Sequence, residues 1–441
     1  MLKITFIGAG STVFVKNVIG DVFLAETLND IEVALYDIDA ARLEESTVLI
    51  NSLNDSCNAS RAKINSYLGI ENRKEALRNA DFVINAIQVG GYEPSTVIDF
   101  EVPKKYGLRQ TIGDTLGIGG IFRALRTIPV MKDIAEEMEL VCPNAWFFNY
   151  TNPMAILTGY MQRYTNVKTV GLCHSVQVCS KMLLEKLDIK TDGFTDKIAG
   201  INHMAWLLEI HDNDGNDLYP IIRERAIHKN ATERHDDMVR FEYIRRLGYY
   251  CTESSEHNAE YNPFFIKPNY PELIDKYNIP LDEYPRRCVQ QIEGWSKQKD
   301  ELFGGGKITH KRSREYASRI IEAMVTNIPY KIGGNVINNG LISNLVQNAC
   351  VEVPCMVDAT GINPTYIGNL PVHLAAMNMT NINMQLLTIE AAVTGKREDI
   401  YHAAMLDPHT SAVLSIDDIV SMCDELIEAH AASGFPVLHR N

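Results

Sequence analysis

The sequence has no CxxC pair, no apolar stretch of the roughly 18 residues that a membrane span requires, and less positive than negative charge. Nine cysteines scattered over 441 residues argue against a disulfide framework or a zinc ribbon. An excess of 56 acidic over 42 basic residues excludes nucleic acid as the main partner, because phosphates bind clustered Lys and Arg. The chain begins with a strand-like run at 2–7 rather than a basic leader, so we expect a cytoplasmic protein without a membrane partner.

What the sequence does contain is enough apolar material for a large core, 46% of its residues, in alternating strand-like and helix-like segments. Apolar runs predict strands at 2–7, 31–36, 81–87, 145–151 and 168–173. Amphipathic stretches predict helices at 15–29, 40–58, 120–140, 154–164 and 175–187. Such alternation is typical of a doubly wound parallel sheet, and we expect residues 1–195 to form a Rossmann-type α/β domain like that of lactate and malate dehydrogenases.

The pattern changes after residue 195. Residues 198–220 predict an antiparallel ribbon with Asp214-Gly215 as its hairpin turn, and residues 332–356 are again strand-like. Gly304–Gly306 predict a flexible break, and residues 372–432 predict helix with Gly395 as a C-cap. We therefore expect residues 196–441 to form a mixed α/β domain that provides substrate, metal and oligomer contacts over the strand ends of the first.

A phosphate-binding turn is predicted between the first strand and the first helix. Glycines let a pyrophosphate approach the backbone and the helix N-terminus. The third glycine of the GxGxxG pattern is replaced by Val13, but Asp37 closes the second strand, where it can bind a ribose hydroxyl. An acidic residue there favours NAD over NADP, and Asp39 is an alternative for the same role. The predicted NAD-binding residues are Gly8, Gly10, Ser11 and Asp37.

Two potential metal ligands follow later strands. Cys173 ends the strand at 168–173, and His203 lies in the predicted ribbon. Strand carboxyl ends face the ligand crevice of a doubly wound sheet, so these side chains can converge there. A thiolate and an imidazole can bind a divalent metal, although a buried cysteine and a hydrogen-bonded core histidine are the commoner explanation of such residues.

Taken together, these motifs resemble glycoside hydrolase family 4, a family of NAD- and divalent-metal-dependent glycosidases of lactate dehydrogenase-like fold. The resemblance covers nearly the whole chain and rests on GAGS, the DxD after the second strand, NYTNP, GLCHS, GINHMAW and NGLISNL…VEVP. CHSV and SEHNAEY (255–261) are similar to the α-galactosidase, or melibiase, branch. Phospho-glycosidase branches carry Asn or Asp where this chain has His174, which argues against a 6-phosphate substrate.

The resemblance implies a redox route to hydrolysis of α-galactosides such as melibiose. NAD⁺ takes hydride from carbon 3 of the sugar, the proton on carbon 2 is abstracted, the aglycone leaves by elimination, water adds, and NADH returns the hydride. The metal, expected to be Mn²⁺, stabilises charge on the oxygens of carbons 2 and 3. Members of the family are dimers or tetramers, so a homodimer or homotetramer is expected.

The resemblance also implies the binding residues of the site. Cys173 and His203 are the expected metal ligands. Asn152, close to the nicotinamide, and Asn202 are expected to contact substrate, and Asn338 is a further candidate for lining the site.

Acid–base residues follow in the same way. Tyr261 is the candidate base at carbon 2, with Glu260 as the neighbouring alternative. A phenol needs a nearby cation to act at neutral pH, and the metal can supply it. Asp114 is the candidate acid. His174, expected to contact sugar hydroxyls, is an alternative proton donor because imidazole titrates in the right range.

Other functions are open at this point. An α-glucosidase or an α-uronic-acid glycosidase of the same family would differ in only a few side chains near carbon 4. A 2-hydroxy-acid dehydrogenase on the same fold would use Arg123 or Arg126 to bind the substrate carboxylate, but it would leave Cys173 and residues 223–310 unexplained. A non-catalytic sensor would bind NAD without turnover.

Overall fold

The computed structural model describes residues 1–303 and 308–438, so the break expected at Gly304–Gly306 lies outside the described residues. Six short strands make the first half of the sheet: β1 (Leu2–Ile7), β2 (Ile31–Asp37), β3 (Lys63–Leu68), β4 (Phe82–Asn85), β5 (Trp146–Asn149) and β6 (Lys168–Gly171). They are parallel and lie in the order β3-β2-β1-β4-β5-β6, with Ile4 of β1 opposite Val33 of β2 and Phe82 of β4. The doubly wound arrangement predicted for this segment is confirmed.

Six helices lie between these strands: α1 (Thr12–Phe23), α2 (Ala40–Cys57), α3 (Ile70–Leu77), α4 (Val97–Lys105), α5 (Gly117–Val141) and α6 (Met154–Tyr164). A seventh, α7 (His174–Lys186), follows β6. The helix predicted at 15–29 begins earlier and ends at Phe23, and a separate turn follows at Glu26–Leu28. β3 was not predicted, because it is an edge strand whose residues are all at least partly exposed and carry little apolar signal. A short helical segment at Gly91–Thr96 leads into α4.

The second half of the sheet is formed by β7 (Phe194–Ile201), β8 (Met204–Asp212), β9 (Tyr250–Cys251), β10 (Tyr330–Ile337), β11 (Cys350–Asp358) and β12 (Gly361–Pro364). β10 lies antiparallel to β6, and the order continues through β11, β7, β8 and β9, with β12 paired to β11. The boundary expected at residue 195 therefore falls at the start of β7, within one continuous sheet of twelve strands.

The ribbon predicted at 198–220 has its turn in a different place. β7 and β8 pair directly from Ile201 opposite Met204, so the hairpin loop is Asn202-His203, with His203 in the left-handed region at φ +62°. The prediction that Asp214-Gly215 makes this turn is wrong. That dipeptide lies beyond β8, in a second turn closed by a bridge between His211 and Asp217. The shift places His203 at the tip of the hairpin.

Ten helices complete the described part of the chain: α8 (Tyr219–Thr232), α9 (Met238–Leu247), α10 (Ser255–Glu260), α11 (Glu272–Lys276), α12 (Glu283–Phe303), α13 (Ala317–Thr326), α14 (Val372–Thr394), α15 (Arg397–Met405), α16 (Pro408–Val413) and α17 (Ile416–Ala432). The predicted helix at 372–432 is four helices, and Gly395 ends the first of them at φ +67°, as predicted. Since α14 packs on α5 and α6, much of this segment covers the N-terminal part of the sheet.

Apolar residues fill both faces of the sheet. Neighbouring strand residues point to opposite faces, so Phe6 and Ile7 of β1 belong to different core clusters, as do Ile84 and Val83 of β4. All nine cysteines are unpaired. None of the helices in the described ranges combines the length and the apolar character needed to cross a membrane.

Candidate active site

The glycine turn lies at the carboxyl end of β1. Gly8 has φ +86°, and a Cβ there would lie 2.8 Å from the carbonyl carbon of Ala86, so the turn tolerates no side chain at this position. The Gly10 N–H donates to Oδ2 of Asp37 at 2.6 Å, which ties the turn to the end of β2. Ser11 follows as the exposed residue that precedes α1, whose first amides have no partner within the helix. The predicted cofactor residues therefore lie together.

Asp37 and Asp39 have different positions. Asp39 is the N-cap of α2 and accepts a hydrogen bond from the Arg42 N–H at 3.1 Å, so its carboxylate stabilises a helix end. Asp37 is the residue whose carboxylate borders the glycine turn. Val13, at the place of the missing third glycine, is about half exposed and needs no close approach to the sheet. Having Val13 in place of the third glycine therefore costs no packing contact.

A cavity of about 360 Å³ lies beside this turn, at the carboxyl ends of β5 and β6 and under the tip of the β7–β8 hairpin. Tyr150, which lines the cavity, contacts Phe14 of α1 with a ring-centroid distance of 4.8 Å and so connects the cavity to the glycine turn. The polar residues that line the cavity are Asp114, Tyr150, Asn152, Cys173, His174, Ser175, His203, Glu253, His257, Tyr284, Arg287 and Gln291.

Three potential metal donors converge on one wall of the cavity. Cys173 Sγ lies 3.3 Å from Nε2 of His203, and the same nitrogen lies 3.4 Å from Oε2 of Glu253. One donor atom from each of the three residues lies within 4.8 Å of the others. Burial, together with the carboxylates of Glu253 and Glu352, raises the pKa of the Cys173 thiol. The donor set fits a divalent cation, which would have to displace the thiol proton.

Tyr261 lies behind the imidazole of His203. Its hydroxyl is 3.1 Å from Nδ1, whereas the opposite nitrogen, Nε2, faces Cys173 and Glu253. Tyr261 is almost fully buried, and burial with the carboxylates of Asp114 and Glu260 holds its pKa well above the usual value. A ring that binds a metal through Nε2 carries its proton on Nδ1, and that N–H donates to the Tyr261 oxygen.

Asp114 and Asn152 are in direct contact in the cavity. The Asn152 side-chain amide donates to Oδ2 of Asp114 at 3.3 Å, and Nε2 of His257 lies 3.8 Å from the other oxygen. Arg123 donates to the backbone carbonyl of Asn152 at 3.1 Å. Burial would raise the pKa of Asp114, but His257 and Arg123 outweigh it and hold that pKa well below its usual range. Asp114 is therefore held as a carboxylate that accepts hydrogen bonds.

His174 lies on the opposite side of Cys173. Its Nε2 is 2.6 Å from Oε2 of the nearly buried Glu315, and its own side chain is 42% exposed to the cavity. The His174 ring also makes an edge-to-face contact with Tyr316. The Tyr316 hydroxyl donates to the carbonyl of Cys173 at 2.9 Å. Glu315 and Tyr316 thus fix the orientation of His174 and leave Nδ1 for other partners.

Three of the residues that the sequence predicted for the site, or offered as alternatives, do not line the cavity. Asn202 is fully buried and donates to Oε1 of Glu352 at 3.3 Å, so it supports the hairpin from below and does not face the cavity. Asn338 binds the backbone of residues 342–346 and closes a turn. Glu260, the alternative base, accepts the backbone N–H groups of Thr111, Ile112 and Gly113 at 2.7–3.2 Å, so it anchors the loop that carries Asp114.

Glu352 was not predicted and lies in β11 beneath the metal-donor cluster. Oε1 accepts from Asn202 at 3.3 Å and from Asn335 at 3.0 Å, whereas Oε2 is buried without a partner among the described residues. Burial raises the pKa of Glu352 to about 7, against a usual value of 4.5. The fold therefore holds a proton on this carboxyl over a pH range in which the unfolded chain releases it.

Replacement of Glu352 by Gln should flatten part of the pH dependence of stability in the metal-free protein. The stability gained by holding the proton is complete below about pH 4.5 and is lost as the pH rises to about 7. The free energy of unfolding of Glu352→Gln relative to the parent should thus increase by about 1–3 kcal/mol between pH 5 and pH 8. Urea titrations in a chelator at both pH values measure it, and parallel curves would contradict it.

Seven polar cavity residues were not predicted as site residues: Tyr150, Ser175, Glu253, His257, Tyr284, Arg287 and Gln291. Glu253 lies two residues before the SEHNAEY segment, and His257 lies within it. The sequence marked that segment only through its resemblance to the family. Tyr284 lies in the charged and aromatic stretch that follows.

Arg123 and Arg126, which a hydroxy-acid dehydrogenase would need, have other partners. Arg126 forms a buried bidentate pair with Asp99, and Arg123 is bound to Asn152 and Tyr284.

Fold and site together define a class: a doubly wound enzyme with a dinucleotide-type turn and a cluster of potential metal donors, Cys173, His203 and Glu253, at its strand ends. Family models give the same result. The family 4 glycosyl hydrolase model matches residues 3–189, and the model of the family's C-terminal domain matches residues 198–410. The chain belongs to family 4 of the glycosyl hydrolases.

Similar proteins match the chain over nearly its full length. An α-galactosidase of Bacillus subtilis (strain 168) is 65% identical over 430 residues, covering 98% of each sequence. Among solved structures, a putative glucosidase from Bacillus subtilis has a TM-score of 0.85 at 25% identity, covering 97% of this chain and 99% of its own. A 6-phospho-α-glucosidase from gut microorganisms, solved in complex with NAD and Mn²⁺, has a TM-score of 0.80 at 20% identity and covers 98% of both chains.

Proposed function

We propose that the chain is an α-galactosidase that depends on NAD and on a divalent cation, Mn²⁺. The convergence of Cys173 Sγ and His203 Nε2, 3.3 Å apart at the wall of the cavity, carries the proposal. The choice of sugar is supported by the 65% identity to an α-galactosidase over nearly the whole chain. The choice of NAD and Mn²⁺ is supported by the solved relative that holds both.

The glycine turn fits a dinucleotide. The backbone at Gly8 lies close to Ala86 at the end of β4, where only a glycine fits. Because Gly8 has no side chain, a pyrophosphate can approach the amides at the start of α1. Asp37 keeps one carboxylate oxygen on the Gly10 N–H and has further lone pairs for a ribose hydroxyl. A 2′-phosphate at that place would be repelled, which favours NAD.

Cys173 and His203 would hold the cation, and His174 and Asn152 would bind sugar hydroxyls around it. When bound, NAD supplies a hydride acceptor for carbon 3 and the cation polarises the oxygens on carbons 2 and 3. The Asp114 carboxylate, directed by Asn152 and His257, accepts hydrogen bonds from the sugar and orients it.

Two side chains move protons in this proposal. Tyr261 is the proposed base at carbon 2: it lies behind His203, outside the cavity lining of the metal-free protein, and the His203 Nδ1–H that donates to its oxygen favours the phenolate. His174 donates a proton to the leaving oxygen, since its partly exposed ring lines the cavity and Glu315 fixes the ring through Nε2. We assign the acid to His174 rather than to Asp114, because the charges around Asp114 favour its carboxylate form.

Replacement of Asp37 by Ala should weaken NAD binding and reduce the preference for NAD over NADP. The substitution removes a charged hydrogen-bond acceptor for the ribose, worth about 1.5–3 kcal/mol or roughly 10–100-fold in Kd. Asp39→Ala is the matched control, because Asp39 caps α2 and should leave the NAD affinity unchanged. Fluorescence titration with each dinucleotide measures both. An NAD affinity that depends on Asp39 and not on Asp37 would reverse the assignment.

Hydrolysis of 4-nitrophenyl α-galactoside by reduced, metal-stripped protein tests the function. NAD⁺, Mn²⁺ and thiol are added singly and together, with the α-glucoside, an α-galacturonide and the 6-phosphate analogue as competing substrates. Release of nitrophenol only with NAD⁺ and Mn²⁺ present, and without net NADH, is the expected result. Cleavage indifferent to both additions would overturn the site, and steady NADH formation without cleavage would identify a dehydrogenase. Cytoplasmic location and assembly into a homodimer or homotetramer stay predictions.

A further inference from the structure

We propose that Glu253 is a third protein ligand of the metal, next to Cys173 and His203. This inference rests on the proposed metal-dependent function and adds a residue that the sequence motifs do not identify. The observation behind it is that Oε2 of Glu253 and Sγ of Cys173 approach the same nitrogen, Nε2 of His203, at 3.4 and 3.3 Å. Three donors of different types thus surround one point at the cavity wall.

The Glu253 side chain is placed by a rigid frame. The Thr252 N–H donates to the carbonyl of Ala205 at 2.8 Å, and the Ala205 N–H donates back to the Thr252 hydroxyl at 3.1 Å. Ala205 lies two residues after His203, so these bonds fix the Glu253 loop against the hairpin that carries the imidazole. The spacing of the two segments is therefore set by Ala205 and Thr252 and does not depend on the side chains of His203 and Glu253.

Asn258 strengthens this frame from inside. Its side-chain amide is fully buried and donates to the carbonyls of His203, Thr252 and Ser254, at 3.4, 3.1 and 3.1 Å. Arg240 donates to the carbonyl of Glu253 itself. One amide and one guanidinium thus hold both loops, as expected for preorganised metal ligands.

The backbone conformations of His203 and Glu253 also support a role for both residues at one site. His203 has φ +62° and Glu253 has φ +67°, in the left-handed region that residues with a Cβ rarely adopt. Such conformations are unfavourable for residues with a Cβ and persist where the surroundings fix them, often at functional sites. Here the two left-handed residues are the ones whose side chains face each other across the donor cluster.

Glu253 has only loose partners of its own. Its Oε1 lies 3.6 Å from Nδ1 of His257, but that nitrogen already has the Ser254 hydroxyl at 2.7 Å. A purely structural ion pair would bring Glu253 closer to one histidine. The spacing observed instead leaves room for a cation among Oε2, Sγ and Nε2.

The chemistry of the donor set explains why a carboxylate belongs here. Thiolate is a poor match for Mn²⁺, which prefers oxygen ligands, and an added carboxylate corrects that mismatch. Thiolate and carboxylate together also neutralise the two positive charges of the cation. An octahedral ion with three protein ligands keeps three positions for substrate oxygens and water.

Metal titration of Glu253→Gln tests the proposal without reference to activity. Binding of Mn²⁺ to the reduced, metal-free protein is followed by electron paramagnetic resonance and by calorimetry. We expect the Kd for Mn²⁺ to rise by about 10–100-fold or more. The Kd for Cd²⁺, which relies on the thiolate, should rise less, so that the preference for the softer ion increases. A role limited to packing would move both ions equally.

Glu315→Gln is the matched control, since Glu315 is also a nearly buried carboxylate at the cavity but pairs with His174. Its Mn²⁺ affinity should be unchanged. If Glu253→Gln binds Mn²⁺ as tightly as the parent, the inference is wrong, while loss of binding in Cys173→Ser would still support the proposed function. If the parent binds no Mn²⁺ at all, the proposed function fails first.

A crystal structure of the unmodified chain soaked with Mn²⁺ provides a second readout that does not depend on the variant folding. Coordination predicts a distance of about 2.2 Å between Mn²⁺ and an Oε atom of Glu253. A water molecule between the ion and the carboxylate would overturn the assignment.

Discussion

Replacement of Cys173 by Ser should abolish α-galactoside cleavage at ordinary Mn²⁺ concentrations, with kcat/KM falling by about 10³-fold or more. The thiolate supplies one of the few protein bonds to the cation, and a serine hydroxyl stays protonated at neutral pH. Cys173 also has a fixed place. It occupies the N-cap position of α7, and the Tyr316 hydroxyl donates to its carbonyl at 2.9 Å, so its backbone is anchored on both sides.

The same residue makes metal binding dependent on pH. Burial, with the carboxylates of Glu253 and Glu352, raises the pKa of the Cys173 thiol, so the metal-free protein carries a thiol that the cation must deprotonate. Mn²⁺ binding should therefore release a proton, and the affinity should increase as the pH rises. Calorimetry in buffers of different ionisation enthalpy counts that proton, and in Cys173→Ser the release should disappear.

Cys179→Ser is the control for this substitution. Cys179 is buried on the same helix, α7, and its Sγ points at the carbonyl of Cys251 rather than at the cavity. The variant should lose some stability and keep its Mn²⁺ affinity and proton release. A Cys173→Ser variant that binds Mn²⁺ as the parent does, with the same proton release, would remove Cys173 from the site.

Local signals were enough to predict where the glycine turn and the strand-end residues Asp37 and Cys173 lie. Gly8 needs a positive φ and an empty Cβ position, and both requirements are visible as a glycine directly after an apolar strand. Asp37 and Cys173 follow strands whose apolar character is equally clear. Because parallel strands end at one edge of the sheet, sequence order alone places these residues near one another.

The cavity half could not be predicted in the same way. Glu253 reaches the site through the pairing of β9 with β8, which involves only Cys251 opposite Trp206 and Tyr250 opposite Leu207. A two-residue strand has no periodic signal, and the left-handed φ of Glu253 is set by tertiary contacts such as the Arg240 hydrogen bond. The SEHNAEY motif marked this segment, but it did not show which carboxylate turns toward His203.

Asn202 was predicted to contact substrate, but it is fully buried and binds Glu352. It is adjacent to the metal ligand His203, and adjacency led to the expectation that it contacts substrate. The hairpin turn falls on these two residues, so their side chains leave in different directions: His203 faces the cavity and Asn202 faces Glu352 beneath it. Asp214-Gly215 had the stronger turn signal, which is why the sequence did not reveal this geometry.

Replacement of Tyr261 by Phe should lower kcat by about 10²–10⁴-fold and leave the fold intact. In the proposed mechanism its oxygen takes the proton from carbon 2. Burial and the nearby carboxylates hold the pKa of Tyr261 well above its usual value, so the phenolate is disfavoured in the metal-free protein. A cation held by Nε2 of His203 would oppose this effect, because the ring would then carry its proton on Nδ1 and donate it to the phenolate oxygen 3.1 Å away.

Exchange at carbon 2 separates this role from a purely positioning one. In D₂O the parent should incorporate deuterium at carbon 2 of galactose, and Tyr261→Phe should not, even at saturating Mn²⁺. Tyr219→Phe is the control, since it removes another buried hydroxyl, bound to the carbonyl of Leu207, without touching the site. If excess Mn²⁺ restores both turnover and deuterium incorporation to Tyr261→Phe, the hydroxyl only orients His203, because a missing base cannot be replaced by raising the occupancy of the metal.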